Sequence, residues 1–511
     1  MAFLVFGLAV LIFAFIVRRA TTSIVRARSE KQRRCKSVYR IPQFERVIGY
    51  ALYRTQVTAM KNKNAMEVNL QRYLDNGETW SAVMMGNTFF NTIDPRNVQE
   101  ILGTKFEDFG TAERLAAFGP LLGKGIFTTD GNFWKTSRAL VKPNFNRSQV
   151  ADLEALESHI QQLFAKIPRD GSTFDLQKLF FQLTLDSATE FLFGESVHSL
   201  TSSEDSEQQR FEAAFDLAQA KLGIRYRRGK FIRFSDIFMP DYEFKTACKT
   251  VHEFVDKIVG KALERSHPKD AEKVIEEKDE VERYVFLKEL AKATRDPQRL
   301  RDELLNILLA GRDTTASLLS STFHVLVRRP DILEKLRKEV DELHGVKPNY
   351  DTLKSMKYLK YILNETLRLY PVVPTNARVA VKDTTLSHGG GPDRKSPVFI
   401  PKGQVVAYSV YCMHRRKDIY GEDALEFKPE RWAPKPEGEE SLRPAWGYLP
   451  FNGGPRVCVG QQFALTEASY AIVRLLQEFA VVEDRDGGPF VEQLSLTMVS
   501  ANGVKVAVMP I

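Results

Sequence analysis

Cys458 is the residue whose surroundings point most clearly to chemistry. It lies in the segment Phe451 to Gly460 (FNGGPRVCVG), in which two glycines and a proline interrupt regular structure, and apolar residues recur at helical spacing from Gln461 onward. A thiol at such a turn faces the unpaired N–H groups and the positive end of the helix dipole, which favour the thiolate. Arg456 adds positive charge two residues earlier. A thiolate that accepts amide hydrogen bonds is a suitable axial ligand for haem iron.

The other three cysteines, Cys35, Cys248 and Cys412, are predicted to be buried small apolar side chains. With no paired C-x-x-C spacing, the four cysteines indicate neither a disulfide framework nor a zinc site, and they are typical of a reducing compartment. The same structural explanation does not suit Cys458, because the whole spacing F-x-x-G-x-R-x-C-x-G is specific. The C-x-G part alone carries little information.

A second stretch with chemical potential lies in a long helical pattern from Arg301 to Pro330. Its middle reads AGRDTT, and glycine, aspartate and threonine are poor residues for a helix interior. A threonine hydroxyl can bond to the carbonyl four residues back and so bend the helix and open a groove. Asp313 beside Thr314 is an acid next to a hydroxyl, a pair that can relay protons. Taken alone, the stretch is also typical of solvent-facing residues on a surface helix.

Two further pairs stand at helical spacing. Trp134 and Arg138 are four residues apart and share one helix face, and an arginine can bind a carboxylate bidentately. Glu365 and Arg368 are three apart in apolar surroundings, which predicts a buried ion pair that needs further partners. Each pair alone is equally typical of an ordinary amphipathic helix.

Together these motifs resemble the cytochrome P450 superfamily. They occur in the family's order, from W-x-x-x-R at Trp134 through A-G-x-D-T-T, E-x-x-R and P-E-R-W to the cysteine loop. The resemblance implies a mainly α fold with smaller β-sheets, and haem b as the cofactor with Cys458 as the axial thiolate ligand. Arg431 would complete a buried structural set with Glu365 and Arg368.

The resemblance also implies a site. Trp134 and Arg138 would hold one haem propionate and Arg378 the other, while Asp313 and Thr314 would form the acid–alcohol pair that delivers protons. The residues implied to bind the haem are Cys458, Arg456, Trp134, Arg138, Arg378, Phe451, Gly454 and Gly460.

Composition and the N-terminus predict the domain organisation. The 511 residues contain no linker-like tract or repeat, and the net charge of +8, much of it near the N-terminus, gives no reason to expect nucleic-acid binding. Residues 2–17 are almost continuously apolar and precede a run of arginines and lysines. At about 1.5 Å per residue they span roughly 24 Å, a little under a bilayer's thickness. We predict a transmembrane anchor at 1–17, a basic juxtamembrane linker at 18–41 and a haem domain at 42–511.

The flanking positive charge places the catalytic domain on the cytosolic side of the endoplasmic reticulum membrane. Three segments look like the fungal alkane and fatty-acid hydroxylase branch: Leu308–Leu319, Met413–Gly421 and Gly460–Glu467. This resemblance implies a monooxygenase that hydroxylates an unactivated C–H bond, with the terminal carbon of a long-chain fatty acid or alkane as substrate. Electrons would come from a separate NADPH-dependent flavin reductase, since no G-x-G-x-x-G follows a strand.

Three alternatives stay open at this point. The substrate of the monooxygenase could be a polyketide, a terpenoid or an aromatic xenobiotic. The protein could be a haem-thiolate isomerase or dehydratase, which would not need a proton relay. A non-enzymatic, membrane-bound lipid-binding protein would give Cys458 a purely structural role.

Overall fold

The computed structural model describes residues 27–510 except 46, 112, 147–151, 204, 230–231, 266–284 and 437–440, and also Phe13 and Val17. The predicted anchor therefore lies outside the described residues apart from these two positions, as does the whole charged run from Lys269 to Arg283. Within the described residues, no helix combines the length and the apolar composition that crossing a bilayer requires.

The chain divides into two compact units. The first unit comprises Met1–Gly110, Thr375–Arg416 and Pro444–Arg456, and the second comprises Thr111–Pro374, Lys417–Arg443 and Val457–Ile511. Most helices belong to the second unit, and the larger sheet belongs to the first.

The α-helices of the described chain are numbered in order. They are α1 Tyr50–Lys61, α2 Ala65–Asn76, α3 Pro95–Gln99, α4 Arg114–Leu122, α5 Gly131–Val141, α6 Glu154–Lys166, α7 Leu176–Phe193, α8 Glu207–Arg227, α9 Ile232–Phe238, α10 Tyr242–Arg265, α11 Phe286–Ala293, α12 Pro297–Leu326, α13 Pro330–Asp341, α14 Tyr350–Ser355, α15 Lys357–Leu369, α16 Val410–Met413, α17 Lys417–Tyr420 and α18 Gln461–Glu478.

The β-strands are short and form four small sheets. They are β1 Thr79–Met84, β2 Asn87–Thr92, β3 Phe109–Gly110, β4 Phe174–Asp175, β5 Thr375–Ala380, β6 Thr384–Gly390, β7 Ser396–Ile400, β8 Val405–Ser409, β9 Phe479–Asp484, β10 Glu492–Leu494, β11 Met498–Ser500 and β12 Lys505–Pro510. In the first unit they make a five-stranded sheet in the order β1-β2-β8-β5-β3 and the β6–β7 hairpin. In the second unit they make the sheet β4-β12-β9 and the pair β10–β11. The predicted mainly α fold with smaller sheets is confirmed.

Local sequence signals explain several element boundaries. The Asp94 side chain caps α3 by accepting from the Arg96 amide at 2.9 Å, with Pro95 in the first turn, as the sequence predicts. The turn of the hairpin β1–β2 lies at Met85-Gly86, two residues with positive φ, as a tight two-residue hairpin turn requires. Helix α4 was not predicted, because its phenylalanine- and glycine-rich sequence and the internal Pro120 conceal a helical period.

Helix α12 runs through the second unit. Asp296 caps its start by accepting from the amide of Gln298 at 3.0 Å, and it continues for 30 residues, four residues upstream of the predicted start. Among the described helices, its most extensive contacts are with α7, and it also contacts α10, α15 and α18. A helix that is packed on all sides must be apolar on all sides, or its polar side chains must have hydrogen-bond or ionic partners.

The buried ion pair of Glu365 and Arg368 on α15 is confirmed. The guanidinium donates to both carboxylate oxygens at 2.8 Å, and both side chains are inaccessible to solvent. Glu365 also accepts from the Lys428 amide at 2.9 Å and the Trp432 indole at 3.0 Å, and Arg431 Nε lies 3.4 Å from its Oε1. The pair therefore has the additional partners that buried charges need.

We expect Glu365→Ala to lower the free energy of unfolding by about 3–5 kcal/mol, because it leaves the Arg368 charge buried without its carboxylate. The measurement is the urea midpoint of the purified protein. Glu334→Ala is the matched control: its salt bridge with Lys338, at 2.8 Å, joins two exposed side chains, and its midpoint should stay unchanged. Equal midpoints for the two variants would contradict the structural role of Glu365.

Candidate active site

The middle of helix α12 has one face that is partly exposed. From Asp302 to Leu326 every residue is buried except Ala310, Gly311 and Thr314, which share one face of the helix. The Thr314 hydroxyl donates to the Ala310 carbonyl at 2.7 Å, the bond that the sequence predicts. This partly exposed face is mostly apolar and contains one hydroxyl.

Asp313 lies beside this face and is buried. Burial raises the pKa of Asp313 to about 7, although the neighbouring Arg312 guanidinium lowers it. Arg312 Nη1 lies 3.3 Å from Asp313 Oδ1, and Oδ2 has no hydrogen-bond partner among the described residues. The carboxyl can therefore take up or release a proton near neutral pH, as a general acid requires.

Cys458 follows the 3-10 turn Gly454–Arg456 in the chain and precedes α18. Its side chain is exposed, yet desolvation raises the pKa of its thiol. The cysteine is thus reachable by a bound group while protein surrounds it.

The predicted lowering of the Cys458 pKa is wrong in direction. A hydrogen bond from the Gly460 backbone lowers the pKa as expected, but desolvation outweighs it. The positive charge of Arg138 also lowers the pKa of the thiol. Among the other cysteines, Cys248 and Cys412 are buried as predicted, whereas Cys35 is partly exposed.

Trp134 and Arg138 lie on α5 in the same unit as Cys458. Trp134 is buried, and the Arg138 guanidinium carbon lies 5.9 Å from the centre of its ring. Arg138 Nη2 donates to the carbonyl of Val457 at 2.9 Å. The structure therefore brings Arg138 to the residue that directly precedes Cys458; its binding of a propionate stays a prediction.

The other two predicted propionate ligands, Arg378 and Arg456, lie in the first unit. Arg378 is buried on β5, where its Nη1 donates to the side chain of Asn376 at 2.9 Å. The Arg456 guanidinium carbon lies 5.9 Å from the centre of the Phe106 ring. Both arginines are held in place by neighbours of their own unit.

The two predicted glycines differ in what they require. Gly454 has φ +66°, and a Cβ there would lie 1.8 Å from the Leu102 carbonyl oxygen, so only glycine fits. A Cβ on Gly460 would make an ordinary contact of 3.5 Å with the Phe145 ring. Phe451, in the same loop as Gly454, is partly buried.

Two buried ionisable residues were missed by sequence reasoning. Arg312 occupies the variable position of the AGRDTT stretch, and Glu467 lies on α18, where burial raises its pKa to about 7. The hydroxyls of Ser187 and Thr315 face this carboxyl and lower its pKa. The available signal was a charged residue at a helix position whose neighbours one turn away are apolar.

The second unit offers what a haem group needs. The accessible thiol of Cys458 is a soft ligand for iron, and Arg138, bonded to the same loop, is a cation suited to a propionate. Ala310, Gly311 and Thr314 provide a partly exposed face of α12. These donors fit an iron porphyrin.

Comparisons with known proteins identify the family of the chain. The family model described as Cytochrome P450 matches residues 42–506. Cytochrome P450 52A13 of Debaryomyces hansenii is 47% identical over 84% of this chain and 83% of its own length. Cytochrome P450 52A3-A of Candida maltosa is 50% identical over 77% of this chain and 76% of its own. Cytochrome P450 monooxygenase himC of Aspergillus japonicus is 44% identical over 98% and 88%.

A solved structure shows the same fold. The crystal structure of the cytochrome P450DA heme domain superimposes with a TM-score of 0.73 and covers 93% of this chain and 98% of its own, at 23% sequence identity. The family match, the relatives and this fold confirm the resemblance that the sequence motifs indicate. The chain belongs to the cytochrome P450 family and is a cytochrome P450 monooxygenase.

Proposed function

We propose that this monooxygenase hydroxylates an unactivated C–H bond of a hydrophobic substrate, at the terminal carbon of a long-chain fatty acid or alkane. The observation that carries the proposal is the accessible, desolvated thiol of Cys458 in a chain of this family. The substrate class rests on the resemblance of Leu308–Leu319, Met413–Gly421 and Gly460–Glu467 to fungal alkane and fatty-acid hydroxylases. The identity of 45–50% to cytochromes P450 of the 52A group supports it.

In this proposal Cys458 would hold haem b through its thiolate, which would accept the hydrogen bond of the Gly460 backbone. Trp134, Arg138, Arg378 and Arg456 hold the propionates, for which the bidentate guanidinium is suited. A haem bound through Cys458 supplies a redox-active iron whose thiolate ligand favours O–O cleavage.

Asp313 and Thr314 deliver protons in this proposal. Thr314 lies on the partly exposed face of α12, and its hydroxyl donates its proton in a hydrogen bond to the Ala310 carbonyl. Asp313 replaces that proton, since its pKa of about 7 lets it carry one at neutral pH.

Location and partners complete the proposal. An anchor at residues 1–17 and a basic linker at 18–41 attach the haem domain, residues 42–511, to the cytosolic face of the endoplasmic reticulum. The apolar run followed by basic residues supports this, as does the start of the family match at residue 42. An NADPH-dependent flavin reductase supplies the electrons.

A second candidate substrate is a secondary metabolite such as a polyketide or terpenoid. This alternative stays open because relatives outside the 52A group are similar to this chain to a comparable degree. The himC monooxygenase matches 98% of the chain at 44% identity, and the fsdH monooxygenase of Fusarium heterosporum matches 85% at 45%.

We expect Cys458→Ser to abolish the thiolate-haem absorption band of the reduced carbon-monoxide complex, because serine does not provide a thiolate. Cys248→Ala is the control, since Cys248 is a buried cysteine in the same unit, and the band should persist in that variant. An unchanged band in Cys458→Ser would refute the ligand assignment.

Asp313→Asn should lower product formation by roughly 10²-fold while NADPH oxidation continues, because loss of a general acid costs about that much. The electrons then leave as hydrogen peroxide, which is measured beside product and NADPH. Ser320→Ala is the control, because it removes a buried polar group further along α12. The Ser320 hydroxyl donates to the Ala316 carbonyl at 2.6 Å. Equal product yields from the two variants would contradict the proton role.

Incubation of the purified protein with reductase, NADPH and a panel of alkanes, fatty acids, aromatics and polyketides tests the substrate class. We expect terminal alcohols from the alkyl substrates, identified by mass spectrometry. Oxidation of an aromatic or polyketide with the alkyl substrates untouched would instead support the second candidate.

A further inference from the structure

Arg312 occupies an unusual position for an arginine, buried in the middle of helix α12. Its side chain is only 3% exposed. The guanidinium carbon lies 5.1 Å from the ring centre of Phe181 on α7 and 5.8 Å from that of Phe215 on α8. A buried guanidinium needs anionic partners, because desolvation of an unpaired charge is costly.

Two carboxylates compete for this guanidinium. Nη1 of Arg312 forms its closer contact with Asp216 on α8, and the same nitrogen lies 3.3 Å from Asp313. Asp216 is half exposed, whereas Asp313 is 2% exposed. Arg312 Nε and Asp313 Oδ2 have no hydrogen-bond partner among the described residues. The guanidinium therefore does not form a bidentate pair with Asp313.

We propose that Asp216 is a positioning residue for the proton relay: by holding Arg312, it prevents a full Arg312–Asp313 ion pair and leaves the Asp313 carboxyl able to carry a proton. The inference rests on the proposed proton role of Asp313. It gives the variable position of the AGRDTT stretch a function in this chain, which links the buried acid through one arginine to a carboxylate at the surface of α8.

The electrostatics around Asp313 agree with this arrangement. Desolvation raises the Asp313 pKa most, Arg312 lowers it, and the negative charge of Asp216 raises it again. Asp313 needs Arg312 near enough to remain a carboxylate part of the time, but not so near that it never binds a proton.

The other ionisable groups near the cluster have hydrogen-bond partners or neighbours of their own, and Glu212 also interacts electrostatically with Arg312 and Asp216. Glu212 on α8 accepts from the Ser199 hydroxyl at 2.6 Å, and Asp186 on α7 accepts from the amides of Ser199 and Leu200 at 2.6 and 2.9 Å. Glu467 on α18 faces Thr315. Among the described residues, Arg312 and Asp216 are the charges that act on Asp313 most strongly.

The two members of the ion pair should therefore shift the acid in opposite directions. Asp216→Asn removes a like charge and frees Arg312 to pair with Asp313, so the Asp313 pKa falls. Arg312→Gln removes the cation, so the pKa rises. Because delivery requires the protonated acid, the product formed per NADPH falls as pH rises through this pKa. Its midpoint should move to lower pH in Asp216→Asn and to higher pH in Arg312→Gln, by about one unit each.

The experiment measures product and hydrogen peroxide per NADPH against pH, using the full-length protein with its reductase. Asp241→Asn is the control: it removes one negative charge from a pair with Lys221 of the same helix α8, at 2.8 Å, and should leave the midpoint unchanged. Asp216→Asn alters a half-exposed side chain, so it decides the question even if Arg312→Gln does not fold.

A midpoint in Asp216→Asn that stays in place or moves to higher pH would overturn the inference, provided that Asp313→Asn uncouples the reaction. If Asp313→Asn stays coupled, the proposed proton role itself fails, and the two failures are thereby distinguished. A purely structural role for Asp216 would lower the amount of folded haem protein without moving the midpoint.

Discussion

The burial of helix α12 is the constraint on which the second unit depends. A helix of 30 residues enclosed by α7, α10, α15 and α18 has little solvent for its polar side chains. Each charge on it must either find a partner or change its protonation. Arg312 finds partners in Asp216 and Asp313. Asp313 instead has a raised pKa of about 7, so it can become protonated. Beside these groups, Ala310, Gly311 and Thr314 form one partly exposed face of the helix.

Desolvation also explains the differing behaviour of the other buried groups. The Glu365–Arg368 pair remains ionic because the Lys428 amide and the Trp432 indole complete the hydrogen bonding of its carboxylate. Burial raises the pKa of Glu467 to about 7, although the hydroxyls of Ser187 and Thr315 and the charge of His159 lower it. At Cys458 the Gly460 backbone and Arg138 favour the thiolate but do not offset desolvation.

Sequence alone predicts what depends on local spacing. The cap at Asp94, the length of α12, the bond from Thr314 to Ala310 and the ion pair of Glu365 and Arg368 all follow from residues within one or two turns of each other. Interactions between distant segments could not be predicted in this way. The competition of Asp216 for Arg312 depends on how α8 packs beside α12. The pKa of Cys458 depends on how much protein surrounds the sulfur, which the turn and helix signals do not report.

We propose that this chain inserts oxygen from dioxygen into an alkyl C–H bond through a site built on Cys458. Turnover of a long-chain fatty acid or alkane under isotopically labelled dioxygen with NADPH and the reductase, followed by mass spectrometry of the product, tests this directly. We expect one labelled oxygen atom at the terminal carbon of each product molecule, and none without the reductase. An unlabelled hydroxyl, or product formed without NADPH, would contradict it.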